Sequence, residues 1–505
     1  MIDGLQLANT RRADLADVPL VSLSRFRSGV IDAVRGGARL KALFATTGTA
    51  SGARLWGVVG DDASGTLHLI ATDVGDRYEA LTPDCAPAHL FEREIAEQWG
   101  ITPVGHPWLK PIRFHPSYVR GRDAWGRDPR APILPSVTDF YEVEGEEAHE
   151  VAVGPVHAGI IEPGHFRFQC HGEKVLHLEI SLGYQHRGVE RALVGGPNAR
   201  GLHLAETLAG DTTVGHATAY CQVLEALSDV VTPPRAEALR AIALELERLA
   251  NHTGDLGALA GDIGYLPTSS FCGRLRGDFL NMTALLCGSR FGRELLSVGG
   301  VRFDVDETRS DDLRCRLGAA MTDLASATRL LWETPSVVAR FEETGRLDRK
   351  RAVDLGLVGP PARACGLEQD VRFHYPSGMF RFAQIPVSTW DTGDVFGRAF
   401  VRWLECERSA TFVRESVRSL PDGPFAAPSK QLVADSIAVA LVETWRGEAA
   451  HVALTDTHGR LSAYKVVDPS FHNWRGLAVA MRGQEISDFP LCNKSFNLSY
   501  CGHDL

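Results

Sequence analysis

Apolar and polar positions divide this chain into three textures. Through residue 120, short β-like runs such as LWGVVG (55–60) and TLHLIATDV (66–74) alternate with helical patches such as HLFEREIAEQWG (89–100). Gly and Pro punctuate them, which predicts a small α/β unit. Residues 121–150 lose the periodicity and carry Pro, Gly and charge, the composition of a linker. From Val151, two β-like runs (HFRFQCHG and KVLHLEISLG) lead into a long helical region. Its clearest element begins at Pro234. Proline near the first helical position and apolar residues at Leu239, Ile242, Leu246 and Leu249 predict a helix over 234–260, with Gly254 as the stop. Helical spacing returns over 311–345 and 394–420. The pattern of HVALTDTHGRLSAYKVV predicts strands through 450–482. The expected fold is α+β: an α/β domain (1–120), a linker (121–150) and a mainly helical domain with β-elements at both ends (151–505).

Composition narrows the function. The chain has 505 residues, 44% of them apolar and 23% charged, as in ordinary globular proteins. Its net charge of −10 argues against a nucleic-acid partner. No apolar run approaches the roughly 18–20 residues of a membrane span. No apolar stretch follows Arg11 and Arg12, so no export signal is read at the N-terminus. The expected location is cytoplasmic, peripheral on the inner face of the membrane. The ten cysteines are scattered, Cys492 and Cys501 are the closest pair, and no CxxC occurs. That spacing suits neither a disulfide framework nor a thiolate metal site.

The chemistry sits in ordered motifs. In Phe91–His115 a Glu–Arg–Glu helix edge precedes a rigid Gly-His-Pro turn. This reads as a charged docking corner, or more simply as a surface helix and turn. Between Gly154 and Leu193 lie His157, His165, His171 and His186 with Glu162, Glu179 and Glu190, which points to a polar buried site. The predicted long helix carries Glu245, Glu247, Arg248 and His252, with Asp262 ten residues further on. Arg398, Arg402 and Arg408 fall in a helix-like stretch and are expected to be buried and paired in a helix bundle.

These motifs carry a resemblance that covers about 90–505. Glu92, Arg93, Glu94, Gly100, Gly105, His106, Pro107 and Lys110 resemble the signature of the small peripheral subunit of complex I. The Gly154–Leu193 segment, with its GPxH start and GYxHRGxE, resembles the opening of large subunits of membrane-bound nickel–iron hydrogenases and complex I. ETLAGDTTVGHATAYCQVLE (206–225) resembles the hydrogenase segment RxCGxCxxxHxxAY. Anchored on His216, Ala219 and Tyr220, it puts two nickel-binding cysteine positions at Ala209 and Thr212. The end of the chain resembles the DPCxxC ending. With Ser495 as anchor, the second pair falls on Ser499 and Gly502, with Cys501 one residue off. Alanine, glycine and hydroxyl groups do not replace thiolates for a soft metal. Pro163 and Gly210 stand where complex I has its quinone-binding histidine and tyrosine, while Asp262 matches the acid that partners that histidine.

The resemblance implies a cysteine-less subunit of an oxidoreductase complex akin to complex I and formate hydrogenlyase. It would bind no metal or cofactor itself and would not be a nickel hydrogenase. A small subunit carrying a 4Fe–4S cluster and membrane-embedded antiporter-like subunits would be its partners, with quinone left open as a substrate. His157, Glu162, His216 and Asp262 would handle protons. The alternative is a non-catalytic scaffold. Hydrogenase precursors carry a tail beyond the last motif; this sequence stops at Leu505, so no clipping is expected.

Overall fold

The computed structural model of the protein describes residues 3–48, 52–128, 130–157 and 161–505. It is the expected α+β fold, with sheets towards both ends and helices between. Near the N-terminus, an antiparallel sheet orders Leu5–Ala8, Thr66–Val74, Ala53–Asp61 and Arg39–Thr47, backed by the helix Leu23–Arg35. A second sheet orders Leu461–Val467, Gly447–Thr455, Ser436–Thr444 and then Arg11–Asp14. The second N-terminal strand is thus an edge of the C-terminal sheet. One apolar core also joins Leu43, Val58 and Phe91 to Tyr375, Ile437 and Val452. The segment 121–150 is mostly irregular, and its Tyr141 N–H donates to Glu179 of the hairpin His165–His171/Lys174–Ser181.

Every residue of Ser436–Thr444 and Gly447–Thr455 is buried. One face of this sheet packs on the helix Thr213–Leu227 and the other on the N-terminal unit. Burial on both faces removes the polar alternation that marks a half-exposed strand, so Ser436–Thr444 gave no sequence signal. Residues 450–482 hold two strands as expected, then a helix, Pro469–Ala480, in place of further strand. The Asp468-Pro469-Ser470 start is a helix-initiation signal: Asp468 caps the helix and Pro469 opens it.

The long helix runs from Pro234 to Asp262, past the expected stop. Gly254 and Gly257 are close-packing positions instead. A Cβ on Gly257 would lie 2.7 Å from the Cys272 Cβ, and one on Gly254 would lie 2.7 Å from Arg276 Cδ, both on the next helix, Leu266–Cys287. The propensity cost of a helical glycine, about 1 kcal/mol, is offset by the closer helix packing.

The Glu–Arg–Glu helix, His89–Trp99, is a docking element within the chain itself. Glu92 and Glu94 are buried. Glu92 accepts from Leu81 N–H, Thr82 N–H and the Thr82 hydroxyl. Glu94 pairs with Arg113 and with Lys465 of the C-terminal sheet, and Lys465 also reaches Glu190 at 2.9 Å. Arg113 Nε donates to the His503 carbonyl near the chain end. This buried quartet fastens the N-terminal unit to the C-terminal segments.

Candidate functional site

The segments that the resemblance singled out for metal binding meet in space. Helix Thr213–Leu227 is entered through Leu208–Thr212 and carries His216 in its first turn. At the other end, helix Phe489–Phe496 closes on Asn497, whose backbone is left-handed (φ 46°). The short helix Tyr500–Asp504 follows, and the Ser499 hydroxyl accepts from Gly502 N–H at 2.9 Å.

Arg446 joins the two segments. It sits with Trp445 in the two-residue turn between the strands ending at Thr444 and beginning at Gly447. Its Nη1 donates to the Gly210 carbonyl (2.7 Å) and the Thr212 hydroxyl (2.9 Å), and its Nε donates to the Asn497 carbonyl (2.7 Å). The guanidinium lies 3.9 Å over the Trp445 ring. Trp445 Nε1 in turn donates to the Asp211 carbonyl. A tight hairpin normally takes Gly, Asn or Asp. A bulky Trp-Arg pair there is the sequence signal that could have marked the site, and it went unread.

Behind Arg446 runs a buried hydrogen-bonded chain. Asp468 accepts from Ser470 N–H on one oxygen and faces His216 Nε2 at 2.9 Å with the other. His216 Nδ1 lies 3.0 Å from His451 Nε2, and His451 Nδ1 lies 2.8 Å from the Tyr464 hydroxyl. One polarity satisfies every contact with both imidazoles neutral: Tyr464 donates to His451, His451 to His216, and His216 to Asp468. Desolvation pushes the Asp468 carboxyl up, but the His216 hydrogen bond and the Arg446 charge outweigh it and hold it below the usual range. Desolvation holds His451 well below the usual imidazole value. Nearby, Glu247 accepts from Val214 N–H and Gly215 N–H, and burial pushes its carboxyl up to about 8. Only His216 of this group was singled out as a site residue from the sequence. Asp468 and His451 lie more than 230 residues away along the chain and carry no local motif.

The other expected site residues are dispersed. Glu162 accepts from Tyr500 N–H and Cys501 N–H, both at 3.2 Å, so it holds the C-terminal tail. His157 Nε2 lies 3.0 Å from the Gly164 carbonyl. Asp262 is exposed at the end of the long helix. Desolvation raises its carboxyl and the Lys494 charge opposes the rise. Lys494 in turn lies 3.8 Å from Asp255, which accepts from Asn497 Nδ2. The remaining histidines of the 154–193 segment form no common site: His171 is exposed beside Glu147, and His186 stacks on His115. Arg402 is buried and paired with Asp255. Arg398 is buried on the Ser495 hydroxyl and two carbonyls, and Arg408 is half-buried on Pro386 and Ser388.

The donor set in the cleft does not match the one nickel takes. At the four positions that the resemblance gives stand Ala209, Thr212, Ser499 and Gly502, and the Arg446 guanidinium joins the two segments that carry them. A Cβ on Gly502 would lie 2.7 Å from Asp468 Cγ, so a cysteine there would displace the carboxylate that anchors His216. The nearby Cys501 thiol is pushed up to about 11, chiefly by burial, and stays protonated at neutral pH. Among the described residues, no group of three or more His, Cys, Asp or Glu is disposed to hold a metal ion. Nor is any helix long and apolar enough to cross a membrane.

Comparison with known proteins places relatives around this geometry. The family model described as "Respiratory-chain NADH dehydrogenase, 49 Kd subunit" matches residues 262–438. The "Carbon monoxide-induced hydrogenase" of Rhodospirillum rubrum is 32% identical over 350 residues, 69% of this chain and 97% of that one. The "Membrane-bound hydrogenase subunit alpha" of Pyrococcus furiosus is 27% identical over 69% of this chain and 85% of its own. "NADH-quinone oxidoreductase subunit 4" of Thermus thermophilus is 28% identical over 68% of this chain and 90% of its own.

Proposed function

The chain belongs to the family that joins the 49 kDa subunit of the respiratory-chain NADH dehydrogenase to its related hydrogenases, and on that basis we propose that it is a subunit of a membrane-associated oxidoreductase complex whose cleft couples electron arrival to proton or ion movement, without nickel. The electron carrier would be a 4Fe–4S cluster in a partner small subunit. Membrane-embedded partners would carry the ion, and quinone is the acceptor to test. This chain would hold no cofactor of its own.

One observation carries the reading. The junction of the 208–212 and 497–502 segments holds a fixed cation, Arg446, and is backed by the buried Asp468–His216–His451–Tyr464 chain. A charge change beside such groups shifts their proton affinity, because burial leaves little solvent to screen it. From Arg446 a polar line continues through Asn497, Asp255 and Lys494 towards Asp262, the exposed acid at the helix end. Glu162 acts on this reading by holding the tail that forms one wall, and His157 by its contact with the Gly164 carbonyl.

The test is Asp262→Asn in the complex within its native membrane. Being exposed, the position tolerates the change, so assembly is expected to remain intact while electron-coupled ion transport is lost. Transport at the wild-type rate would remove Asp262 from the mechanism. A scaffold role is favoured by one observation, the three hydrogen bonds with which Arg446 ties the cleft walls together. On that reading Asp262→Asn changes nothing.

A further inference from the structure

A buried charge cluster lies between the long helix, helix Val395–Arg418 and strand Ser436–Thr444. It contains three guanidiniums, Arg248, Arg363 and Arg372, and four carboxyl groups, Glu245, Asp370, Glu405 and Glu443, each with a side chain no more than 3% exposed. Arg363 bridges Glu443 at 2.7 Å and Glu405 at 2.8 Å. Arg372 bridges Glu245 at 3.0 Å and Asp370 at 2.6 Å, and Arg248 reaches Glu245 at 3.1 Å. His252 lies 2.8 Å from Glu405. Its other nitrogen, Nδ1, is buried with no hydrogen-bond partner, a poor place for a charged imidazolium.

The charges do not balance if all four carboxyl groups are ionised. Three positive groups pair with four negative ones, and an uncompensated buried charge is costly. The cations on neighbouring elements make no ion pair with these four carboxyl groups: Arg240 pairs with Glu225, Arg381 lines an adjoining cavity with Glu237, and Arg408 acts on Glu405 and Asp370 only at longer range. Arg402 is already paired with Asp255, and Arg408 lies half-buried on the Pro386 carbonyl and the Ser388 hydroxyl. The directly paired groups are thus one cation short, and a proton on one carboxyl group balances them. Glu443 differs from the others in position. Its two oxygens accept from Arg363 and from Val371 N–H, and it also lines a cavity of about 650 Å³. That cavity lies between Arg11–Asp14, the helices Thr213–Leu227 and Pro234–Asp262, and Gly378–Arg381.

We propose that Glu443 is a proton-holding group of this chain: a neutral carboxylic acid at rest, whose proton exchanges with water in the adjoining cavity. Opposing shifts within the cluster agree with this placement. Desolvation pushes Glu443 up and His252 down. Glu405 is held well below the usual range because its Arg363 and His252 partners outweigh desolvation. Glu443 stands two residues from Trp445 and three from Arg446 on the same strand and turn. Its use as a proton store for the cleft rests on the coupling reading above, whereas the resting proton does not.

The test uses the purified full chain and its Glu443→Gln variant, in which a neutral isostere replaces the neutral acid. A raised pKa in the fold means that the folded state binds the extra proton, so stability from this group is present at low pH and is lost as pH rises. As pH rises above the ordinary Glu value of about 4.3, wild type should lose up to roughly tenfold in folding constant per pH unit relative to the variant, until Glu443 itself ionises. The variant should also lack one exchangeable carboxylic-acid band in the infrared spectrum at neutral pH. Parallel pH curves with an unchanged acid band would overturn the proposal. If Glu443→Gln does not fold, Glu443→Asp serves, because it must shift that band in frequency. A band left in place would count equally against the proposal. These readouts need no electron transfer, so they can fail or succeed independently of the coupling reading.

Discussion

Glu405→Ala is expected to destabilise the fold by about 3–5 kcal/mol, the cost of removing one partner from a buried ion pair. Glu405 Oε1 accepts from Arg363 Nε at 2.8 Å, and Oε2 faces His252 Nε2 at 2.8 Å and Arg248 at 3.5 Å. The substitution leaves Arg363 Nε and His252 Nε2 without these partners where neither residue is exposed to water. Denaturant unfolding of variant and wild type at neutral pH reads the difference, and a loss below about 1 kcal/mol would place the pair in the range of surface bridges. Glu405→Gln is informative beside it. Removing that charge leaves three guanidiniums against Glu245 and Asp370, so Glu443 should ionise and restore the balance. The acid band expected from Glu443 should weaken in that variant.

Asp468→Ala should cost a similar amount, about 3–5 kcal/mol, and should do so in a pH-dependent way. Asp468 is the only acid in the chain that runs from Tyr464 through both histidines, and it also caps the helix Pro469–Ala480. Because its folded pKa lies below the ordinary carboxylate value, its contribution is present at neutral pH and is lost as pH falls through the acid range. The wild-type and variant stabilities should therefore converge in acid. A gap that stays constant from neutral to acid pH would mean that Asp468 acts through packing rather than charge.

What the sequence disclosed follows from how local each signal is. The Glu–Arg–Glu helix and the hairpin after Gly154 sit in short patterns, and both were legible as elements. That Glu94 would pair with Lys465 was not, because no local pattern records a contact across 371 residues. Gly254 was misread for a physical reason: a helix-stopping glycine and a close-packing glycine look alike until the neighbouring helix is in place. Strand Ser436–Thr444 was silent because both of its faces are buried. The resemblance singled out Ala209, Thr212, Ser499 and Gly502, but the side chain that joins their two segments comes from elsewhere in the chain. Arg446 sits on a hairpin turn, and only the fold carries it between Gly210 and Asn497.

The most direct measurement is the nickel and iron content per mole of tagged protein, purified with its native partners from membranes. A cleft bridged by a guanidinium and lacking thiolate pairs predicts iron, from a partner cluster, without nickel. Near-stoichiometric nickel would contradict it, and would require Arg446 to leave the cleft and another donor set to form there.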